Sequence, residues 1–446
     1  MRPRLRGLAS AAAIAAAGAC SSGYFVDQAE VCRRAPNDPE CPRAGSAGAS
    51  GEGGGGGGPA GASGAGAGGS SGLGGGGSGG GGACASDAAC AAGEGVGSLC
   101  VGGDCTAPSA GCSTATLVVV ADGREPSGVP ERACHFRALG PALAAIAGET
   151  KSVLVFADSA EAPAPVALGA GLALEGRAAD PTKPVALEVA APVAGAPLVT
   201  LADGSSLKGF ALDGAGAAKG VAASSGSVTL AGPLTIKAAT LALELTGEAK
   251  ATVAGSAKAP VLLAGNARGV VVGPDAALTM TGAGEAGLVV EGTTAGAGVL
   301  VERGTGGLAA TLLEGGTFRG NAASNGLTGT GAVEVRQSRQ VVIKACAFEK
   351  NLVSLNLNGE GDSLADAFSG VSLQGNSFSA ALTGSGGAVV CGASLKAGAT
   401  KLEVDGANTF PGGKVCSTLG PATFGCTAGQ LVGYTSPGND VAVQCL

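Results

Sequence analysis

Short apolar runs separated by Gly, Asp, Asn or Ser recur between about Thr116 and Cys391. They are Leu117–Val120, Val153–Phe156, Leu198–Leu201, Val228–Leu230, Leu241–Leu245, Val261–Leu263, Val270–Val272, Leu278–Met280, Leu288–Val290 and Val299–Val301. Several alternate, as in Leu241-Ala242-Leu243-Glu244-Leu245, which turns one face of a strand inward with period two. Runs this short, at a spacing of roughly ten residues, leave no room for intervening helices. The region is therefore all-β, and the pattern admits a sandwich, a barrel or a solenoid.

Longer-range repetition favours the solenoid. Phe318-Arg319-Gly320-Asn321 recurs as Phe348-Glu349-Lys350-Asn351, with variant forms at Asn376-Ser377-Phe378 and Asn408-Thr409-Phe410. The phenylalanines are 30, 30 and 32 positions apart, the interval of one coil with a variable loop. Stacked Phe rings would fill a core, and stacked Asn side chains would bond turn backbones from one coil to the next. Small residues fill the gaps between runs, as close stacking of coils requires.

The start of the region carries a further signal. A run at Leu117–Val120 leads into Asp122-Gly123, then Cys134-His135-Phe136, then the mostly apolar stretch Pro141–Ala147, then Val153–Phe156. This order resembles the beginning of pectate-lyase-like right-handed parallel β-helix proteins, over roughly residues 116–445. The resemblance implies a short helix that caps the first coil, where core and strand edges would otherwise lie open. It sets out a cap over 113–150, a parallel β-helix over 151–390 and a disulfide-stapled end over 391–446.

Upstream, the chain begins with Arg2, Arg4 and Arg6, then an apolar stretch Leu8–Ala17, too short to span a bilayer as a helix. It closes on Ala17-Gly18-Ala19-Cys20, which resembles the lipobox of bacterial lipoprotein signal peptides. That resemblance implies a signal peptide over 1–19, a diacylglycerol on Cys20, and, from Ser21, sorting to the outer membrane or cell surface. Ala17 stands where that family usually has Leu, so ordinary signal-peptide cleavage remains the alternative; both readings export the chain. Residues 20–44 form the lipid-attached N-terminal segment. Residues 45–82 are almost wholly Gly, Ala and Ser, with nothing to bury, and read as a disordered tether. At about 5–6 Å × √n such a tether spans roughly 30–37 Å.

Fourteen cysteines in an exported chain read as disulfides. Cys32 and Cys41 precede the tether; Cys84, Cys90, Cys100, Cys105, Cys112 and Cys134 follow it; Cys391, Cys416, Cys426 and Cys445 lie at the end. With Cys20 lipidated, Cys346 alone is left as a free buried thiol. The segment 83–112 is too short for a core and depends on its bridges. There is no Cys-x-x-Cys and His135 is the single histidine, so neither zinc nor any other cofactor is expected.

Composition narrows the function without naming it. Gly is 84 residues of 446, Trp is absent, aromatics are 3% and charged residues 14%, against about 25% in ordinary soluble domains. The formal net charge of −7 and the lack of a dominant basic stripe exclude nucleic acid as a general partner. The family resembled includes polysaccharide lyases, hydrolases and epimerases as well as surface proteins with no activity. Adjacent acidic pairs are missing from the coils, and Glu403 and Asp405, at i and i+2, read as solvent-facing. His135 reads as a structural contact, since no nucleophile or acid partner is near it in sequence. Arg319, Arg336, Arg339, Lys344 and Lys350, against Glu334 and Glu349, form a basic stretch that would bind an anionic polymer if the coils aligned it. The expectation is thus a non-catalytic surface lipoprotein for adhesion, recognition or structure, partnered by the membrane through its lipid and by a polysaccharide or surface protein. The alternative is a polysaccharide-active enzyme with a diverged site.

Overall fold

The computed structural model describes residues 99–101, 104–106, 113–122, 126–130, 133–284, 286–302, 310–321, 331–336, 340–351, 353–358, 371–379, 389–391, 400–405, 407–409, 431–436 and 439–445. The chain winds as a right-handed parallel β-helix of three sheets. A typical coil runs from Ser152–Phe156 on the first sheet, through Ser159–Ala162 on the second, to Val166–Leu168 on the third. It then returns to the first sheet as Ala173–Arg177, in parallel register with the strand it left. The first sheet has fourteen strands and the other two have nine each. Every apolar run read from the sequence falls on these strands, except that Leu241 and Ala242 lie in the turn before strand Leu243–Leu245.

Parallel strands about 4.8 Å apart place each inward side chain on its counterpart in the next coil. Leu174, Leu207, Leu230 and Val253 form one such column on the first sheet, all 1% exposed or less. Each buried Leu or Val is worth about 1.5–3 kcal/mol, so a narrow core of small aliphatic residues suffices when it is continuous along the axis. On the second sheet the column ends in Phe318, Phe348 and Phe378, whose rings stack at centroid distances of 5.1 and 4.7 Å. Phe410, the fourth in the sequence motif, lies outside the described residues.

The asparagines divide into two ladders rather than one. After second-sheet strands, Asn321 Nδ2 donates to Asn351 Oδ1 at 3.1 Å and to the Val290 carbonyl at 3.0 Å. Asn266, two coils before Asn321, likewise donates to the Ile236 carbonyl and accepts from the Ala239 N–H, both at 2.9 Å. After first-sheet strands, Asn376 donates to Asn408 Oδ1 at 2.9 Å and to the Ile343 carbonyl at 2.7 Å. The offset between Phe and Asn changes sign along the motif because the two pairs of Asn occupy different corners.

The N-terminal end departs from a simple coil. The helix Leu139–Ala144 caps the core with buried Leu139 and Ala142. Cys134-His135-Phe136 is not a linker: strand Ala133–Phe136 pairs with Ser113–Val120 on the side away from Ser152–Phe156. A second apolar cluster lies on the outer face of these strands, with Val118, Val120, Leu154 and Phe156 buried and Val129 packed against them. The Arg177 guanidinium sits 5.3 Å from the Phe156 ring centroid and donates to the Ser127 carbonyl, tying residues 126–130 over that cluster. At the far end Asn439–Cys445 pairs parallel with Thr400–Val404, and Leu431–Ser436 closes the sheet antiparallel.

Thr293 occupies the ladder position between Asn266 and Asn321, and its buried hydroxyl has no hydrogen-bond partner. Thr293→Asn is expected to complete the ladder and raise stability by about 1 kcal/mol. Asn321→Ala removes two donors and the acceptor of the Thr293 N–H, and is expected to cost about 2–4 kcal/mol. Thermal or denaturant unfolding checks both, and a Thr293→Asn variant less stable than the parent would contradict the ladder assignment.

Candidate functional site

The basic residues close in sequence do not share a face. Arg319 ends a second-sheet strand and pairs with Glu291 of the preceding coil. Arg336 lies on the third sheet and holds Glu334 at 2.7 Å. Lys344 ends a first-sheet strand and meets Glu314 of the preceding coil at 2.7 Å. Lys350 sits in a turn with φ of 51° and its backbone N–H donates to Ser379 Oγ; Arg339 lies outside the described residues. Three of the five cations are thus engaged in ion pairs, two of them (Arg319 and Lys344) with the preceding coil and one (Arg336) within its own strand.

The pairs belong to a wider pattern. Lys208 stands over Glu175 at 3.1 Å and Lys237 over Asp213 at 3.2 Å, each directly opposite in register. Lys219 holds Glu244 at 2.8 Å across neighbouring coils of the third sheet. Such partly exposed pairs contribute about 0–1 kcal/mol each, and their chief effect is to penalise slipped registers. Glu334 differs from the rest: it lies in the outward row of the third sheet, beside Leu300 and Asn356, yet is only 1% exposed.

On the second sheet one outward row breaks the alternation. Glu161 is directly opposite Glu188, both exposed. Asp213 follows Leu212, which pairs with Leu187, so it falls in the same row one strand further on. Three carboxylates thus stack at about 4.8 Å per strand. The Ala215 N–H and the Lys237 ammonium hold the Asp213 carboxyl below its usual range. Glu161 and Glu188 are 27 positions apart in sequence, so only the register brings them together.

A groove of about 480 Å³ runs along the corner between the first and second sheets. Gly255, Gly282, Gly315 and Ala345 come from four successive coils and form its floor, and Thr281, Glu314 and Thr317 stand along it. Glycine is required here for close approach: Gly315 has φ of +65°, and a Cβ on it or on Gly282 would run into the other's carbonyl oxygen.

Cys346 is 1% exposed and fills the ladder position taken by Asn376 in the next coil. Its N–H donates to Asn376 Oδ1 at 2.9 Å, and its thiol lies 3.4 Å from the Leu313 carbonyl and 3.3 Å from that of Lys344. Burial pushes this thiol up to about 11. Half-buried His135 is held below its ordinary value by desolvation, which favours neutral imidazole near pH 7. Glu403 and Asp405 are half-buried rather than fully solvent-facing, and Asp405 Oδ1 accepts from the Gly375 N–H at 2.9 Å. Cys134 is buried and disulfide-bonded. The antiparallel strands Leu99–Val101 and Asp104–Thr106 place Cys100 opposite Cys105. Strands Val389–Cys391 and Asn439–Cys445 place Cys391 and Cys445 at the C-terminal end; Cys20, Cys32, Cys41, Cys84, Cys90, Cys112, Cys416 and Cys426 lie outside the described residues. Among the described residues no three His, Cys, Asp or Glu side chains converge as a metal site, and no helix is long and apolar enough to cross a membrane.

No family model matches the chain, and no curated protein matches it in sequence. Among solved structures it is similar to the A-module of the Azotobacter vinelandii mannuronan C-5 epimerase, at 12% identity and a TM-score of 0.33, over 58% of this chain and 78% of that one. It is also similar to the catalytic domain of a GH87 α-1,3-glucanase in complex with nigerose, at 10% identity and a TM-score of 0.36, over 71% and 70%. Likeness at this level says nothing about a shared site.

Two outcomes are expected from these placements. Raising the Cys346 pKa from 9.0 to about 11 favours the protonated thiol in the fold. The associated stability is fully present below pH 9 and is lost as pH rises through about 11, amounting to about 2–3 kcal/mol. Denaturant unfolding across that window is expected to show the loss in the parent and not in Cys346→Ser. Glu188→Lys, which restores alternation between Glu161 and Asp213, is expected to raise stability by ~0.2–1 kcal/mol in low salt, with the gain shrinking in high salt. A loss on Glu188→Lys would mean that the acidic row is held by something other than mutual repulsion.

Proposed function

We propose that this chain is an exported surface protein, held to the outer membrane by a lipid on Cys20, whose β-helix is a rigid, non-catalytic recognition module for an extended polymer. The observation that carries this reading is the corner groove, whose floor repeats once per coil along the axis. A surface with a translational repeat suits a ligand with one, and the stacked backbone beneath it resists deformation. Glu314, the carboxylate beside the groove, is engaged with Lys344 and serves coil stacking. Export and lipidation are supported by Arg2, Arg4, Arg6, the apolar stretch Leu8–Ala17 and the Cys20 context.

A second reading, a polysaccharide-active enzyme, is favoured by the Glu161, Glu188 and Asp213 row. Paired carboxylates are the groups that acid–base chemistry on sugars draws on.

Incubating the exported chain with immobilised neutral and uronate-rich polysaccharides, and following both retention and polymer length, separates the two. Retention with unchanged length is expected. Shortened chains or new unsaturated ends, lost in Glu188→Gln, would replace the recognition reading with the enzymatic one. Labelling the whole cell with a lipid precursor is expected to mark the parent and not Cys20→Ala.

A further inference from the structure

We infer that the corner groove takes an uncharged, polyhydroxylated chain, a neutral glycan segment, rather than a uronate. This rests on the recognition reading above and adds the ligand class.

Charge is the first argument. Glu314 is the single charged side chain among the described residues that line the groove, and Lys344 neutralises it at 2.7 Å. A uronate chain would set its carboxylates beside Glu314. Of the basic residues described above, Arg319 and Arg336 are likewise engaged, by Glu291 and Glu334. Lys344 already has its counter-ion, so an incoming anion would have to break that pair to gain it.

Shape is the second argument. Four coils at about 4.8 Å give a floor about 14 Å long, enough for a few sugar rings laid along the axis. Its volume of about 480 Å³ falls in the usual range of small-ligand sites, roughly 300–1,000 Å³. Glycine at Gly282 and Gly315 exposes flat backbone, against which the C–H face of a ring can lie. The half-buried Thr281 on the wall offers a hydroxyl that both donates and accepts, the type of partner a sugar hydroxyl needs and a carboxylate does not.

The test uses the full exported chain with three probes: α-linked and β-linked glucose hexamers and a galacturonate hexamer, titrated at low and high salt. A glucose hexamer is expected to bind with little salt dependence. Ala283 is exposed and lines the groove at the end of strand Ala277–Ala283. Ala283→Ile fills the groove without entering the core, and is expected to weaken glucose-hexamer binding by about tenfold or more at an unchanged thermal midpoint. Glu314→Gln leaves Lys344 without its partner, and is expected to create salt-sensitive galacturonate binding absent from the parent. If Ala283→Ile lowers the thermal midpoint, the Glu314→Gln result decides. Salt-sensitive galacturonate binding by the parent, indifferent to Ala283→Ile, would overturn the neutral-glycan inference and leave the recognition reading standing. Retention of no hexamer and no immobilised polysaccharide would overturn both.

Discussion

Parallel register between successive coils is the constraint on which the rest of this molecule depends. Each residue on a strand sits about 4.8 Å from one counterpart before it and one after it. Any side chain placed on a strand must therefore tolerate its own column. Aliphatic residues do so by burial, phenylalanines by offset stacking, asparagines by passing one hydrogen bond along the ladder. Charged residues are eased by alternating sign, as where Lys208, Lys237, Arg319 and Lys344 each meet a carboxylate of the preceding coil.

How far the sequence discloses this structure depends on whether a feature is local or belongs to a column. Strands are legible because period-two apolar runs are local, and the Phe318, Phe348 and Phe378 stack is legible because three nearly equal coils repeat one motif. The capping helix, expected from the resemblance near Pro141–Ala147, lies at Leu139–Ala144, whereas the edge strand Ala133–Phe136 is not legible, since four residues carry no periodicity. Column membership is hidden wherever coil length varies. Glu161 and Glu188 meet across a short coil, while Arg319 and Lys344, closer in sequence, end on different sheets. A charge count along the chain thus brings together residues that the fold separates and misses the row that it creates. Asn376 and Asn351 show the same effect at smaller scale: the motif is shared, but the corner is not.

Departures from the stacking rule cost stability in the column where they occur. Three stand out. Thr293 interrupts a ladder that Asn would continue. Cys346 replaces an amide by a thiol, keeping a donor toward the Leu313 carbonyl while giving up the second partner that a primary amide has. Glu161 and Glu188 set like charges opposite one another on an exposed face, where no burial offsets the repulsion. The first two are internal, and their cost lies within the core. The acidic row is external, and its cost is tolerable only while solvent and salt screen it.

The corner groove, by contrast, follows the stacking rule, and this ties its shape to the fold itself. Gly255, Gly282 and Gly315 are each closed to a Cβ by a facing carbonyl oxygen, so a side chain on any of them would force neighbouring backbone apart. Ala345 turns the same corner one coil further on with φ of 51°. Positive φ alone therefore does not demand glycine here; the close approach of neighbouring backbones does. The depth of the groove thus belongs to the spacing of the coils and not to any one side chain. What a ligand meets on its walls is left to Thr281 and to the Glu314–Lys344 pair, and that pair is itself a product of register. Floor and wall chemistry are accordingly coupled: a change that slipped the coils would lose both together.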